Sequence, residues 1–163
     1  MARAVSLEDQ AASDEVVDAV IAASRVLVGV AARSIAAITD DVTLPQYRAL
    51  VILVSRGPQR IADVAAILDV EPSTATRMSE RLVRKRLVNR TGGEDDRRVV
   101  LLSATRLGRE LVASVTRKRR AEVRAILRRM PQQKIEPLIT SLHAFTTAAG
   151  ETAEANPALG WAP

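Results

Sequence analysis

A mainly α-helical domain with one small β-hairpin is the fold class that this sequence predicts, on three observations. Apolar residues recur at three- and four-residue steps along most of the 163 residues. Two short apolar runs flank a Gly/Asp-rich loop at "LVNRTGGEDDRRVVLLS". Positive charge is concentrated in the middle of the chain: from Arg56 to Arg129 there are 19 Lys/Arg against 9 Asp/Glu, leaving 5 against 10 elsewhere. Such asymmetry is the footprint of a polyanion-binding module flanked by segments with another task. Taken on charge alone, the competing explanation is an arginine-rich surface with no specific role.

Composition narrows the classes. With 47% hydrophobic and 26% charged residues, the chain can bury a core and is read as one domain spanning residues 1–163. Aromatics are only 2%, so the core is aliphatic, and functions that stack bases or sugars on aromatic platforms are disfavoured. Cysteine is absent and histidine occurs once, at His143, which argues against disulfides, thiol redox sensing and a zinc site. No metal and no cofactor are expected. The stretch "AVIAASRVLVGVAARSIAAI" is interrupted by Arg25 and Arg33 before reaching membrane-spanning length. "MARAVSLEDQAASDE" lacks the apolar run of a signal peptide. A soluble cytoplasmic protein with no membrane partner is expected.

Taken in order, residues 14–38 predict a long helix with a broad apolar stripe: Val17, Val20, Ile21, Leu27, Val28, Ala31, Ile35 and Ile38. Thr43 is placed to cap a second helix, with Pro45 in its first turn and Gly57 beyond its end. A short helix follows over Ile61–Leu68, then a tight turn at Asp69–Val70 and a longer helix from Pro72 to Arg86. After the hairpin, a long helix is expected from Ala104 to Met130, closed by Pro131. A last helix starts within 132–137 and ends near Ala149. Residues 43–103 thus form the candidate binding region, and 14–38 with 104–149 the flanking helices.

The two central helices have the layout of a helix-turn-helix. Val64, Leu68, Val70, Ala75 and Met78 fall where two crossing helices meet, with Ala65 as the small residue at their close approach. Asp69 stands in the turn, where glycine is common, and Asp tolerates left-handed geometry better than most residues. At 100° per residue, Ala75, Met78, Ser79 and Leu82 share the inner side of the second helix. Ser73, Arg77, Glu80 and Arg84 point the opposite way, with Thr74, Thr76 and Arg81 beside them. Small hydroxyls near the start and arginines farther along suit a helix entering the major groove of double-stranded DNA. Arg77 is the candidate for a bidentate guanine contact; Ser73, Thr74 and Thr76 for bases or phosphates; Arg81 and Arg84 for phosphates. The competing reading is an amphipathic helix with a solvated polar face.

The hairpin that follows decides between them. A short antiparallel hairpin after a helix-turn-helix is a wing, whose tip lies along phosphates and can place a cation in the minor groove. The segment "DRRVVLLSATRLG" resembles the wing signature of MarR-type transcriptional regulators, Asp-x-Arg-x-x-x-Leu-x-Leu-Thr followed by glycine. Asp96, Arg98, Leu102, Thr105 and Gly108 fall in place, and Ala104 replaces the second leucine. The resemblance continues through "LPQYRAL" and "EPSTATRMSERLVRKRLVNR" and covers roughly residues 14 to 149. It implies a winged helix-turn-helix with N- and C-terminal dimerisation helices, a homodimer, and a pseudo-palindromic operator bound by a repressor. It also implies release by a small phenolic or anionic effector in a cleft between the dimerisation and DNA-binding regions. Arg98 would then be the minor-groove arginine, braced by Asp96, with Arg97 a neighbouring contact; which of Arg97 and Arg98 enters the groove stays open. Independently, the acidic, apolar end segments have too little surface to pack on within one chain, which agrees with dimerisation.

An enzyme would need a convergent acid, base or nucleophile. Asp95 and Asp96 are adjacent on a hairpin, so their side chains diverge, and no enzyme is expected. The remaining alternative is a winged-helix module that coats DNA without sequence preference or binds protein. His143 is read as a packing or surface residue, and Tyr47 as packing.

Overall fold

The computed structural model describes residues 7–92 and 100–150 of the chain. Six α-helices, a 3-10 turn at Gln132–Lys134 and a three-stranded antiparallel sheet are built from them. Helix α1 spans Leu7–Ala36, α2 Leu44–Ser55, α3 Ile61–Leu68, α4 Pro72–Arg84, α5 Arg106–Leu127 and α6 Ile135–Ala148. Strands β1 (Gln59–Arg60), β2 (Val88–Gly92) and β3 (Val100–Ala104) lie in the order β1-β3-β2. The hairpin register sets Val88 opposite Ala104 and Arg90 opposite Leu102.

The core gathers around α2. Leu50, Leu53, Val64, Leu82, Val88, Leu102, Val112 and Val115 are all buried in one cluster with Tyr47. Helix α2 begins as its sequence predicts: the Thr43 side chain accepts from the Gln46 amide while the Gln46 side chain accepts from the Thr43 amide, a reciprocal cap. Tyr47 packs inside, and the Arg119 guanidinium of α5 lies 5.6 Å from its ring centroid. Helix α5 packs its Val112 and Val115 into this core and reaches α1 through Glu122, which meets Arg33 at 3.3 Å.

Helix α3 matches the predicted bounds, and Asp69 takes the left-handed conformation at φ 54°. The Val70 amide returns to the Ala65 carbonyl, closing the helix end. Several boundaries differ from expectation. Helix α1 starts at Leu7, not 14, because "LEDQAAS" carries helix by propensity without an apolar stripe. Helix α5 starts at Arg106, not Ala104: Ala104 is paired with Val88 in the sheet, and Thr105 is the N-cap, its hydroxyl accepting from the Gly108 amide at 3.0 Å. Strand β1 had no sequence signal at two residues long.

Helix α4 stops at Arg84, two residues early, because Arg86 adopts φ 58°. The Arg86 amide donates to Val83 and the Leu87 amide to Leu82, the pattern in which glycine is favoured. A side chain there costs about 1 kcal/mol or more. Arg86→Gly is therefore expected to raise stability by roughly 0.5–1 kcal/mol, read as a melting-temperature rise of a few degrees. A lower melting temperature would mean that the Arg86 side chain contributes more than the strain it imposes.

Candidate nucleic-acid interface

Helix α4 is held by one face and presents the other. Ala75, Met78, Ser79 and Leu82 are buried, as their spacing predicts. The Ser79 hydroxyl donates to the Ala75 carbonyl at 2.7 Å, so the one polar group on that inner face is satisfied within the helix. Ser73, Arg77, Glu80, Arg81 and Arg84 are exposed, while Thr74 and Thr76 are half-buried beside them. The Thr76 hydroxyl donates to the Pro72 carbonyl at 2.9 Å, which leaves its oxygen lone pairs outward as acceptors. Arg77 Nε donates to the Ser73 carbonyl at 3.3 Å, and its terminal nitrogens have no partner among the described residues. Pro72 at the first position costs no helix hydrogen bond, and α4 starts without a side-chain cap bond.

The hairpin stands next to this face. Arg90 on β2 is exposed and faces α4 across a cavity of about 320 Å³. Thr76, Glu80, Arg84 and Arg90 contribute the polar wall, over an apolar floor of Ile61, Val83 and Leu102. Sequence reasoning missed Arg90. The signal that could have found it is strand alternation: two positions after buried Val88, Arg90 shares its face of the first hairpin strand. Asp96, Arg97 and Arg98, the expected wing contacts, lie outside the described residues, as do Asp95 and the hairpin tip.

One joint ties this region to α5. The Thr105 amide donates to the Leu87 carbonyl at 3.0 Å, and its hydroxyl donates to the Arg86 carbonyl at 2.8 Å. Gly108 sits directly against the Leu87 carbonyl. The end of α4, the base of the hairpin and the start of α5 are thus fixed together.

Comparison with known proteins places this arrangement. A family model described as MarR family matches residues 42–100. The crystal structure of RV1404 from Mycobacterium tuberculosis is 41% identical, with a TM-score of 0.80 over 86% of this chain and 95% of that one. The chain belongs to the MarR family.

Two Bacillus subtilis (strain 168) relatives carry regulators' names. The HTH-type transcriptional regulator YhbI is 35% identical over 72 residues, 44% of this chain and 47% of the relative. The HTH-type transcriptional repressor MdtR is 38% identical over 66 residues, 40% and 43% of the two chains. The chain thus spans about half the length of these curated relatives in the matched region. The winged helix-turn-helix expected from the MarR resemblance is the fold observed, and Thr105 and Gly108 of its signature have the structural roles just described. Among the described residues, no group of three His, Cys, Asp or Glu could hold a metal ion, and no helix is long and apolar enough to cross a membrane.

In this candidate interface Arg77 is exposed on the outward face of α4, where the sequence expects a guanine contact. Arg77→Ala is expected to cost about 1–3 kcal/mol in DNA affinity and to relax preference at one base pair per half-site. Binding measured against a set of single-base operator variants checks it. Uniform weakening over all variants would make Arg77 a phosphate contact instead.

Proposed function

We propose that this MarR-family protein is a sequence-specific double-stranded DNA-binding transcriptional regulator, acting as a repressor, and that it binds a pseudo-palindromic operator as a homodimer. The observation that carries this reading is the α4 surface: its inner face is locked in the core while small hydroxyls and then Arg77, Arg81 and Arg84 face outward. Ser73, Thr74 and Thr76 contact bases or phosphates at the helix start, and Arg81 and Arg84 neutralise phosphates beyond it. Arg90 extends the cationic edge onto the hairpin. Asp96, Arg97 and Arg98 keep the wing role that the family pattern implies, with Arg98 in the minor groove.

The homodimer rests on apolar surface that one chain leaves open. On α1, Val16, Val17, Val20, Ile21 and Leu27 are exposed; on α6, Ile139, Leu142 and Phe145 are 43%, 47% and 54% exposed. Helix α6 has no buried residue at all. A soluble fold does not spend its only phenylalanine on solvent without a surface to cover it. Two copies related by a twofold axis would place two α4 helices in successive major grooves. Selection from a random duplex pool tests the reading: it should recover an inverted repeat with half-sites about one helical turn apart. Recovery of no consensus, or of a single half-site, would contradict it.

A ligand-responsive mode is favoured by the cavity between α4 and β2. The cleft between the dimerisation and DNA-binding regions was the expected location, whereas this cavity lies inside the winged helix itself. Its volume is at the lower end of small-molecule sites, and its apolar floor, with Arg84 and Arg90 outnumbering Glu80 at the wall, suits a single-ring organic anion. Bound there, such a molecule would compete with phosphates for the same arginines. Aromatic carboxylates are expected to lower operator affinity in the wild type and to lose that effect in Arg90→Ala. An equal response in both proteins would move the effector elsewhere.

A further inference from the structure

Helix α5 carries a second cationic surface that the DNA-binding face does not use. Its apolar side, with Val112, Val115 and Ile126, packs against the body of the chain. At 100° per residue the opposite side collects Arg117, Arg120, Arg124 and Arg128, spaced three, four and four residues apart over about 16 Å. From Arg117 to Arg129 there are seven cations and one acid, Glu122, and Glu122 is turned away to meet Arg33 and Ser34. Arg117, Arg124 and Arg128 are exposed, and none has a carboxylate partner among the described residues; Arg117 touches only the Ser114 hydroxyl. The one other acid on this side, Glu110, is held by Arg106 at 2.5 Å.

The opposite charge stands on α1. Residues 7–18 contain five acids and no cation. Asp14, Glu15 and Asp18 are exposed, with no cationic partner among the described residues. At 100° per residue Asp14 and Asp18 border one edge of the open apolar stripe of Val16, Val17, Val20 and Ile21. Asp14 and Asp18 are four residues apart, the same repeat as Arg124 and Arg128, so two successive turns on each helix present matching rows.

We propose that the arginine row of α5 docks onto the acidic first half of α1 of a second copy, forming two symmetry-related charge clamps that set the register of the dimer. This rests on the homodimer reading and adds to it: the apolar faces supply the contact area, and the charged rows select the orientation. A twofold axis makes the pairing occur twice, because each chain carries both signs. A second copy is favoured over a DNA duplex as the occupant because each chain also carries the complementary acids, Asp14 and Asp18, exposed and without a cationic partner among the described residues. Complementary rows of this kind act mainly on register and partner choice and are weakened by salt.

The monomer–dimer equilibrium of the full chain, followed by analytical ultracentrifugation, tests this. Raising salt from about 50 to 500 mM is expected to weaken the wild-type dimer roughly tenfold. Arg124→Glu with Arg128→Glu should weaken it by about ten- to a hundredfold, and Asp14→Arg with Asp18→Arg similarly. All four together should return it to within about threefold of wild type. The residues are exposed, and unchanged helix content by circular dichroism establishes that each variant is folded. Dimers indifferent to every reversal would overturn the clamp while leaving the homodimer intact. A wild type monomeric at every salt concentration would instead overturn the homodimer. Failure of the fourfold variant to recover, or an α5 reversal that spares the dimer but flattens the salt dependence of DNA binding, would also overturn the clamp.

Discussion

Gly108→Ala is expected to destabilise the protein by about 2 kcal/mol or more, although it places a better helix former inside α5. Two effects oppose each other. Alanine gains at most about 1 kcal/mol over glycine in a helix, and less in the first turn where Gly108 sits. The added Cβ, however, falls inside contact with the Leu87 carbonyl oxygen and 3.0 Å from the Leu50 side chain, which is fully buried. Leu87 cannot yield without loosening its carbonyl's bond to the Thr105 amide, so α5 must move off the hairpin base. Steric cost of this kind in a packed core runs to about 1–3 kcal/mol or beyond and outweighs propensity. Thermal melting should show a fall of roughly 5 °C, with DNA affinity reduced because α4 and α5 share the joint. A variant as stable as wild type, or more so, would mean that the close approach relaxes freely and that propensity wins.

Leu142→Glu combined with Phe145→Glu is expected to yield a folded monomer that has lost operator binding. Both side chains are about half exposed in the single chain, so the lone fold loses little. In the proposed dimer each is buried twice, and four apolar side chains at about 1.5 kcal/mol each or more are removed from association. Four carboxylates then face an apolar surface, which adds further cost. Without the second half-site contact, operator affinity should fall about 10²–10⁴-fold while weak binding to any duplex persists. Light scattering with a binding titration separates the outcomes. A variant still dimeric and binding normally would place the dimer contact away from α6.

The helix-turn-helix was the most legible part of the chain because its signals are local. Pro72 marks the start of α4, Asp69 tolerates the left-handed turn, and the 100° rotation separates Ala75, Met78 and Leu82 from Ser73, Arg77 and Arg84. Boundaries failed where the deciding partner is distant in sequence or the usual punctuating residue is absent. Arg86 ends α4 in a conformation that no arginine advertises. Ala104 is drawn into the sheet by Val88, and β1 exists only because Leu101 and Leu102 pair with it. Arg90 and the cavity beside it likewise depend on the hairpin folding back against α4, a tertiary fact that periodicity does not encode. The arginine row of α5 was visible as charge, but that the nearby Glu122 is committed to Arg33 is a tertiary fact.

The central claim is sequence-specific duplex recognition by the α4 face. Affinity for a selected inverted repeat and for a scrambled duplex, each measured across a salt series, tests it most directly. Specific recognition predicts a preference of about 10³-fold or greater at physiological salt. It also predicts that this preference persists as ionic strength rises while both affinities fall. Equal affinities with the same steep salt slope would contradict the account, because only neutralisation of the phosphate backbone would remain.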